Sequence, residues 1–117
     1  MLQTCYEKVG GDYEDVLARL GNAERIEKYV VKFLEDPTYG MLCEAKKEGD
    51  YEAVFLHIHT LKGLSQNLGF DNLYRASYEM TEAVRGGMPL CDERLYEAVT
   101  KAYFETVAMI EQYVTNR

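Results

Sequence analysis

The sequence has few of the features that mark disulfide-bonded, metal-binding or membrane-spanning proteins. Cys5, Cys43 and Cys91 are odd in number, widely spaced and form no CxxC pair, which argues against a disulfide framework and a structural zinc site. No unbroken apolar run is longer than residues 53–56, whereas a transmembrane helix needs about 20 apolar residues. We therefore expect no metal site and no membrane association.

Positive charge is also scarce. Asp and Glu number 20 against 13 Lys and Arg, the net charge is −7, and the basic residues are spread along the chain. Binding to nucleic acid requires a basic patch that neutralises phosphates, so we expect no nucleic-acid binding. The N-terminal region lacks an apolar stretch followed by a small-residue cleavage site, so we predict no secretory signal and expect the cytoplasm as the compartment.

The 117 residues, 47% of them hydrophobic, suit one globular domain. Apolar residues recur every three to four positions and no segment alternates like a strand, which predicts an all-α fold. Because the expected connections are only two to six residues long, we predict an antiparallel four-helix bundle with additional short N-terminal helices. The domain is expected to span residues 1–117, with the bundle core at about 22–115, in a free-standing monomer.

Capping signals divide the chain into helices. Asp and Asn residues are expected to begin them and glycines to end them, giving predicted helices at residues 1–8, 13–20, 23–36, 38–47, 51–68, 72–85 and 93–114. Asp71 is the expected cap of the sixth helix, and Pro37 is expected in the first turn of the fourth. Among ten tyrosines, Tyr39 beside Gly40 is expected to be the most exposed.

Both histidines of the chain fall in the segment HIHTLKG at residues 57–63. At about 100° per residue they point about 200° apart, and the apolar pattern places His57 on the same side as Val54, Ile58 and Leu61. We therefore expect His57 to be packed at the bundle boundary with a hydrogen-bond partner, and His59 to face solvent. Their spacing rules out a metal ion bound by both rings.

Gly63 lies one turn beyond His59, although glycine in a helix costs about 1 kcal/mol relative to alanine. Its missing side chain would let a large partner approach the imidazole, and Lys62 on the same face could attract an anion held there. An exposed imidazole, a nearby cation and an open neighbour suggest a group that carries phosphoryl. These residues alone equally allow a surface histidine, a surface lysine and a tolerated glycine.

The segments HTLKG at 59–63 and SQNLG at 65–69 resemble the signature of histidine-containing phosphotransfer (HPt) domains of two-component phosphorelays. Similarity extends to FLEDP at 33–37 and EGD at 48–50, so that it covers about residues 22–86. The resemblance implies a four-helix bundle in which His59 accepts phosphoryl from a receiver-domain aspartate, or from a kinase, and passes it to another receiver. Lys62 would then be the cation near the phosphate, and Gly63 the small residue that admits the partner.

The family often places Gln or Glu of the following helix against the imidazole. In this sequence the matching position is Thr81, which leaves the residue that orients His59 open. Tyr78 and Glu82 are the neighbours that could replace it.

The sequence contains no phosphate-binding glycine-rich loop and no receiver-type acidic cluster with its lysine. We therefore expect a phosphocarrier rather than an enzyme, without a cofactor of its own, and Mg²⁺ only in the partner receiver domain of a response regulator or hybrid kinase. Phe55 and Leu56, with Gly63 and Gln66, are predicted to form the docking surface for a receiver helix. Alternatively, a neighbouring helix, such as the N-terminal one, could cover Phe55 and Leu56.

Two other functions remain open at this stage. An HPt-like helical module could bind a receiver or another protein through its surface without being phosphorylated. An enzyme could use His59 as a general base, but that would require a concave pocket and a partner carboxylate.

Overall fold

The computed structural model describes residues 2–117, and all of its regular secondary structure is helical. The predicted all-α fold is confirmed. The α-helices are α1 Leu2–Glu7, α2 Tyr13–Leu20, α3 Ala23–Phe33, α4 Thr38–Glu48, α5 Tyr51–Asn67, α6 Asp71–Ala83 and α7 Glu93–Asn116, with a 3-10 turn at Arg85–Gly87.

Side-chain caps explain why several helices begin where they do. Each capping carboxylate or amide oxygen accepts a hydrogen bond from a backbone N–H in the first turn, which would otherwise lack a partner. The caps are Asp12 of α2, Asn22 of α3, Asp50 of α5 and Asp92 of α7. All four agree with the sequence prediction.

The bundle consists of α4, α5, α6 and α7. Helix α5 packs against α4 and α6, and α6 packs against α7. Connections as short as residues 49–50 and 68–70 force successive helices to run antiparallel. Outside this bundle, α1 and α3 pack against α7, and α2 packs against α3.

The apolar core runs through the centre of the bundle and continues under the N-terminal helices. From α5 it receives Val54, Ile58 and Leu61, all fully or almost fully buried. Tyr6 of α1 is also fully buried, and its hydroxyl donates a 2.7 Å hydrogen bond to the carbonyl oxygen of Leu68. The core therefore fixes one face of α5 and leaves the opposite face outside.

Several helix boundaries differ from the prediction by one to three residues. Asp71 is the first residue of α6 rather than its cap, and Pro37 precedes α4, whose first N–H, that of Thr38, donates to the Asp36 carboxylate. Helix α6 ends at Ala83 because the chain tightens into the 3-10 turn. The connection to α7 covers residues 84–92, longer than the two to six residues expected.

The expected exposure of Tyr39 is wrong. Its ring stacks on Tyr103 with 4.0 Å between ring centroids, and its hydroxyl donates to Thr100. The side chain is half-buried, whereas Tyr29 and Tyr78 are exposed. A glycine neighbour therefore did not indicate exposure, because Tyr39 has an aromatic partner on α7.

Candidate functional site

His59 lies in the middle of α5, on the face that the core leaves free. Its side chain is exposed, whereas His57 is half-buried beside α4, where it lines a groove with Met41 and Glu44. The two rings therefore face different surroundings, as their spacing predicted. The His59 ring is the more exposed of the two.

Two stripes of side chains from neighbouring helices meet around His59. On α5, Phe55, His59 and Lys62 are spaced i, i+4 and i+7, which places them on one face. Tyr78, Glu82 and Arg85 have the same spacing along α6 and the 3-10 turn that follows it. Because the helices run antiparallel, Lys62 meets Tyr78 at one end and Phe55 meets Arg85 at the other. His59 and Glu82 hold the middle positions.

The His59 imidazole contacts the aromatic ring of Phe55, its neighbour on the same face of α5. The Phe55 and His59 rings are stacked with centroids 5.8 Å apart and an interplanar angle of 21°. The guanidinium carbon of Arg85 lies 5.5 Å from the centroid of the Phe55 ring, within range of a cation–π interaction. Phe55 therefore contacts both the His59 imidazole and Arg85, a cation from the 3-10 turn that follows α6.

The site also carries a second cation, Lys62, and a carboxylate, Glu82. The Lys62 ammonium lies 5.7 Å from the centroid of the Tyr78 ring. Glu82 forms an ion pair with Arg85. The hydrogen bond from Arg85 lowers the pKa of the Glu82 carboxyl, and the charge of Lys62 lowers it further. Both cations thus act on one carboxylate.

The surface next to Gly63 is open. A Cβ atom built on Gly63 would have no heavy atom within 4 Å. The adjoining depression is lined by Arg19, Thr60, Gly63, Leu64, Gln66 and Asn67. The space that the sequence predicted at this glycine is therefore present on the side of α5 that carries His59.

Comparison with protein-family models gives a match to the Hpt domain over residues 11–115. The chain belongs to the Hpt domain family. The match confirms the family suggested by the sequence and implies phosphotransfer in two-component signalling, with the domain as a phosphocarrier. Neither the search of curated proteins nor that of solved structures returned a significant match.

Leu56 and Gln66, two residues of the predicted docking surface, are exposed in this Hpt domain. Leu56 has 59% of its surface accessible, and Phe55 is half-buried beneath Arg85. Helix α1 packs against α7 and does not bury Leu56. The alternative in which the N-terminal helix covers this residue is therefore wrong.

Thr81, at the position where the family often has the partner of the imidazole, is fully buried. Its hydroxyl donates a 2.6 Å hydrogen bond to the carbonyl oxygen of Ser77. The structure thus gives this hydroxyl an acceptor within α6 rather than a place beside the exposed His59 ring. Glu82, the next residue, is on the exposed side of α6 that meets the His59 stripe.

Sequence reasoning missed two arginines at this surface. Arg85 could have been found, because it continues the helical spacing of Tyr78 and Glu82. Arg19 gave no such signal, since it comes from α2, far from the motif in sequence. Its guanidinium donates to the carbonyl oxygens of Gln66 and Asn67 at 3.0 and 2.8 Å and lines the depression beside Gly63.

Within residues 2–117, no helix is both long and apolar enough to cross a membrane. In the same residues, no cluster of His, Cys, Asp or Glu side chains has the arrangement of a metal site.

Proposed function

We propose that this Hpt domain is a phosphorelay intermediate that carries phosphoryl on His59. The group would come from the aspartyl phosphate of one receiver domain, or from a kinase, and pass to the aspartate of another receiver. The observation that supports this most is the exposed His59 ring one turn from the open space at Gly63. A receiver active site could approach the imidazole there without a clash.

The transfer uses the neutral imidazole, which is nucleophilic near neutral pH. A ring nitrogen attacks the phosphorus of the aspartyl phosphate. The P–N bond forms as the P–O bond breaks, and the electron pair leaves with the aspartate as a carboxylate. A second receiver aspartate reverses these steps: its carboxylate attacks phosphorus and the P–N electron pair returns to the imidazole.

Lys62 assists by its charge. Its ammonium lies on the His59 face, over the Tyr78 ring, and would attract the phosphoryl group on the imidazole. Phosphoryl transfer depends mainly on alignment and electrostatic stabilisation, so the receiver would supply the Mg²⁺ and the carboxylates that hold it. In this proposal the Hpt domain acts as a cytoplasmic monomer without its own cofactor.

The docking surface in this proposal consists of Phe55, Leu56, Gly63 and Gln66. The exposed side chain of Leu56 offers apolar area at one end, and Gln66 offers a polar rim at the other. A receiver helix lying over these residues would place its aspartate opposite His59. The absence of a side chain at Gly63 would allow the two backbones to approach closely.

Phosphotransfer from a panel of phosphorylated receivers of the same genome tests the proposal. Wild-type protein and His57→Gln should acquire an acid-labile phosphoryl group, and His59→Gln should not. His57→Gln is the matched control, because it removes the other imidazole of the same helix. Binding of a receiver without acid-labile phosphorylation would instead favour the non-phosphorylated interaction module. Phosphorylation of His59→Gln would contradict the assignment of the site.

A further inference from the structure

Glu82 occupies an unusual position for a carboxylate, because it lies in the middle of a stripe that faces a phosphoryl-accepting histidine. It pairs with Arg85, and Lys62 lies over Tyr78, one helical turn before Glu82. Arg85 in turn contacts the Phe55 ring that stacks on His59. Glu82 is therefore paired with Arg85 and also experiences the charge of Lys62.

A phosphoryl group on His59 would bring about two negative charges into this arrangement. It would attract Lys62 and Arg85, and Glu82 already neutralises part of their charge. We propose that Glu82 competes with the phosphoryl group of His59 for these two cations and so raises the free energy of the phosphohistidine. This inference rests on the proposed function and deepens it, since it makes Glu82 a positioning residue that promotes release of phosphoryl to the next acceptor.

The size of the effect follows from the exposure of the pair. The side chains of Arg85 and Glu82 are 54% and 42% exposed, so water screens their interactions. Freeing one positive charge from its carboxylate about 7 Å from the phosphoryl group changes an equilibrium about threefold in bulk water, and more near a protein surface. A neutral residue at 82 should therefore stabilise the phosphohistidine about threefold to tenfold.

Hydrolysis of the phosphohistidine offers a readout that needs no receiver. Water attacks the phosphorus, the P–N bond breaks, and inorganic phosphate leaves while the imidazole nitrogen keeps the electron pair and gains a proton. Protonation of the phosphorylated ring makes the imidazole a better leaving group, and cations freed from Glu82 beside the phosphoryl group would disfavour that protonation. Glu82→Gln should therefore lower the pKa of the phosphohistidine and lengthen its half-life.

The experiment uses the full chain carrying His57→Gln, so that His59 is the only histidine. Phosphoramidate serves as the phosphoryl donor and releases ammonia on transfer to the ring. We would compare Glu82→Gln with Glu97→Gln, which removes an exposed carboxylate of α7. The ³¹P resonance gives the pKa by pH titration and the half-life at neutral pH after the donor is removed.

We expect Glu82→Gln to lengthen the half-life of the phosphohistidine about threefold to tenfold at 0.1 M salt. The effect should be smaller at 1 M salt, because the Debye screening length is then only about 3 Å. Glu97→Gln should leave it unchanged. In an Arg85→Gln background the gain from Glu82→Gln should fall to less than half, because one of the shared cations is gone.

The inference is overturned if the phosphohistidine half-life of Glu82→Gln stays within twofold of that of the parent. It is also overturned if Glu82→Gln lengthens the half-life by the same factor when Arg85 is replaced. These failures are distinct from failure of the proposed function. If His59 is phosphorylated normally in all variants but their phosphohistidine half-lives are equal, the inference about Glu82 is wrong and the proposed function is not affected. If His59 takes up no phosphoryl from either phosphoramidate or receivers, both are wrong.

Discussion

The hydroxyl of Tyr6 donates a 2.7 Å hydrogen bond to the carbonyl oxygen of Leu68, the residue at which the His59 helix ends. Tyr6 is fully buried, and burial raises the pKa of its hydroxyl well above the ordinary value. The contact joins α1 to the end of α5 across 62 positions of sequence. The N-terminal helix therefore stabilises the element that carries the site, although it lies outside the four-helix bundle.

Tyr6→Phe should lower the free energy of unfolding by about 1–2 kcal/mol, because a buried carbonyl loses its hydrogen-bond donor while the ring still fills the core. Urea unfolding followed by circular dichroism measures the change. Tyr29→Phe is the matched control: Tyr29 is exposed and its loss of a hydroxyl should change stability by less than about 0.5 kcal/mol. Equal effects of the two substitutions would show that the Leu68 contact contributes nothing.

Gly69 should be the least replaceable glycine near the site. Its φ is +70°, and a Cβ atom there would lie 2.2 Å from a methyl carbon of Val16. Gly69→Ala combines left-handed strain with overpacking and should destabilise the fold by about 2–4 kcal/mol. Gly49 has nearly the same φ, +72°, with open space around it, so Gly49→Ala should cost only about 1 kcal/mol. Thermal unfolding of the pair would separate strain from crowding, and equal losses would contradict the steric account.

Much of the fold was predictable because its information is local. Helix starts at Asp12, Asn22, Asp50 and Asp92 depend on a side chain and a backbone N–H only two or three residues apart. The wrong prediction for Tyr39 involves a partner distant in sequence. Tyr39 is covered by Tyr103 of α7, and no local pattern encodes that contact.

The site shows the same division. Exposure of His59 and space at Gly63 follow from helical periodicity within α5, so sequence alone predicts them. The surroundings from α6 were predicted less well, because the depth of Thr81 depends on how α6 is rotated against the bundle. That rotation buries Thr81 and presents Glu82 to the His59 stripe.

Asp92 should make the stability of α7 depend on pH. Its carboxylate accepts hydrogen bonds from the side chain and the backbone N–H of Arg94, which lower the pKa of Asp92 below the ordinary 3.8. A depressed folded-state pKa means that the stabilisation is present above the unfolded-state pKa and is lost as the pH falls through the folded-state value. Asp92→Asn keeps a capping side chain, so its urea midpoint should be lower than that of the wild type at pH 7, and the two should converge in acid. A difference that persists unchanged in acid would assign the effect to something other than the charge.

Gly63 offers a test in which stability and function should change in opposite directions. Gly63→Gln places a better helix former inside α5 with no atom to clash against, so it should stabilise the fold by about 0.5 kcal/mol. In the proposed docking, the same side chain would fill the space through which a receiver would approach His59, and phosphotransfer from a phosphorylated receiver should fall at least about tenfold.

Gly40→Gln is the matched control for Gly63→Gln. Gly40 lies within α4, and a Cβ atom built there also meets nothing within 4 Å. This variant should gain similar stability while transferring phosphoryl at the wild-type rate, because position 40 is outside the proposed docking surface. Wild-type transfer by Gly63→Gln would remove the reason for a glycine at this position. Equal slowing by both variants would show that rigidity of the bundle, and not room beside the imidazole, limits the transfer.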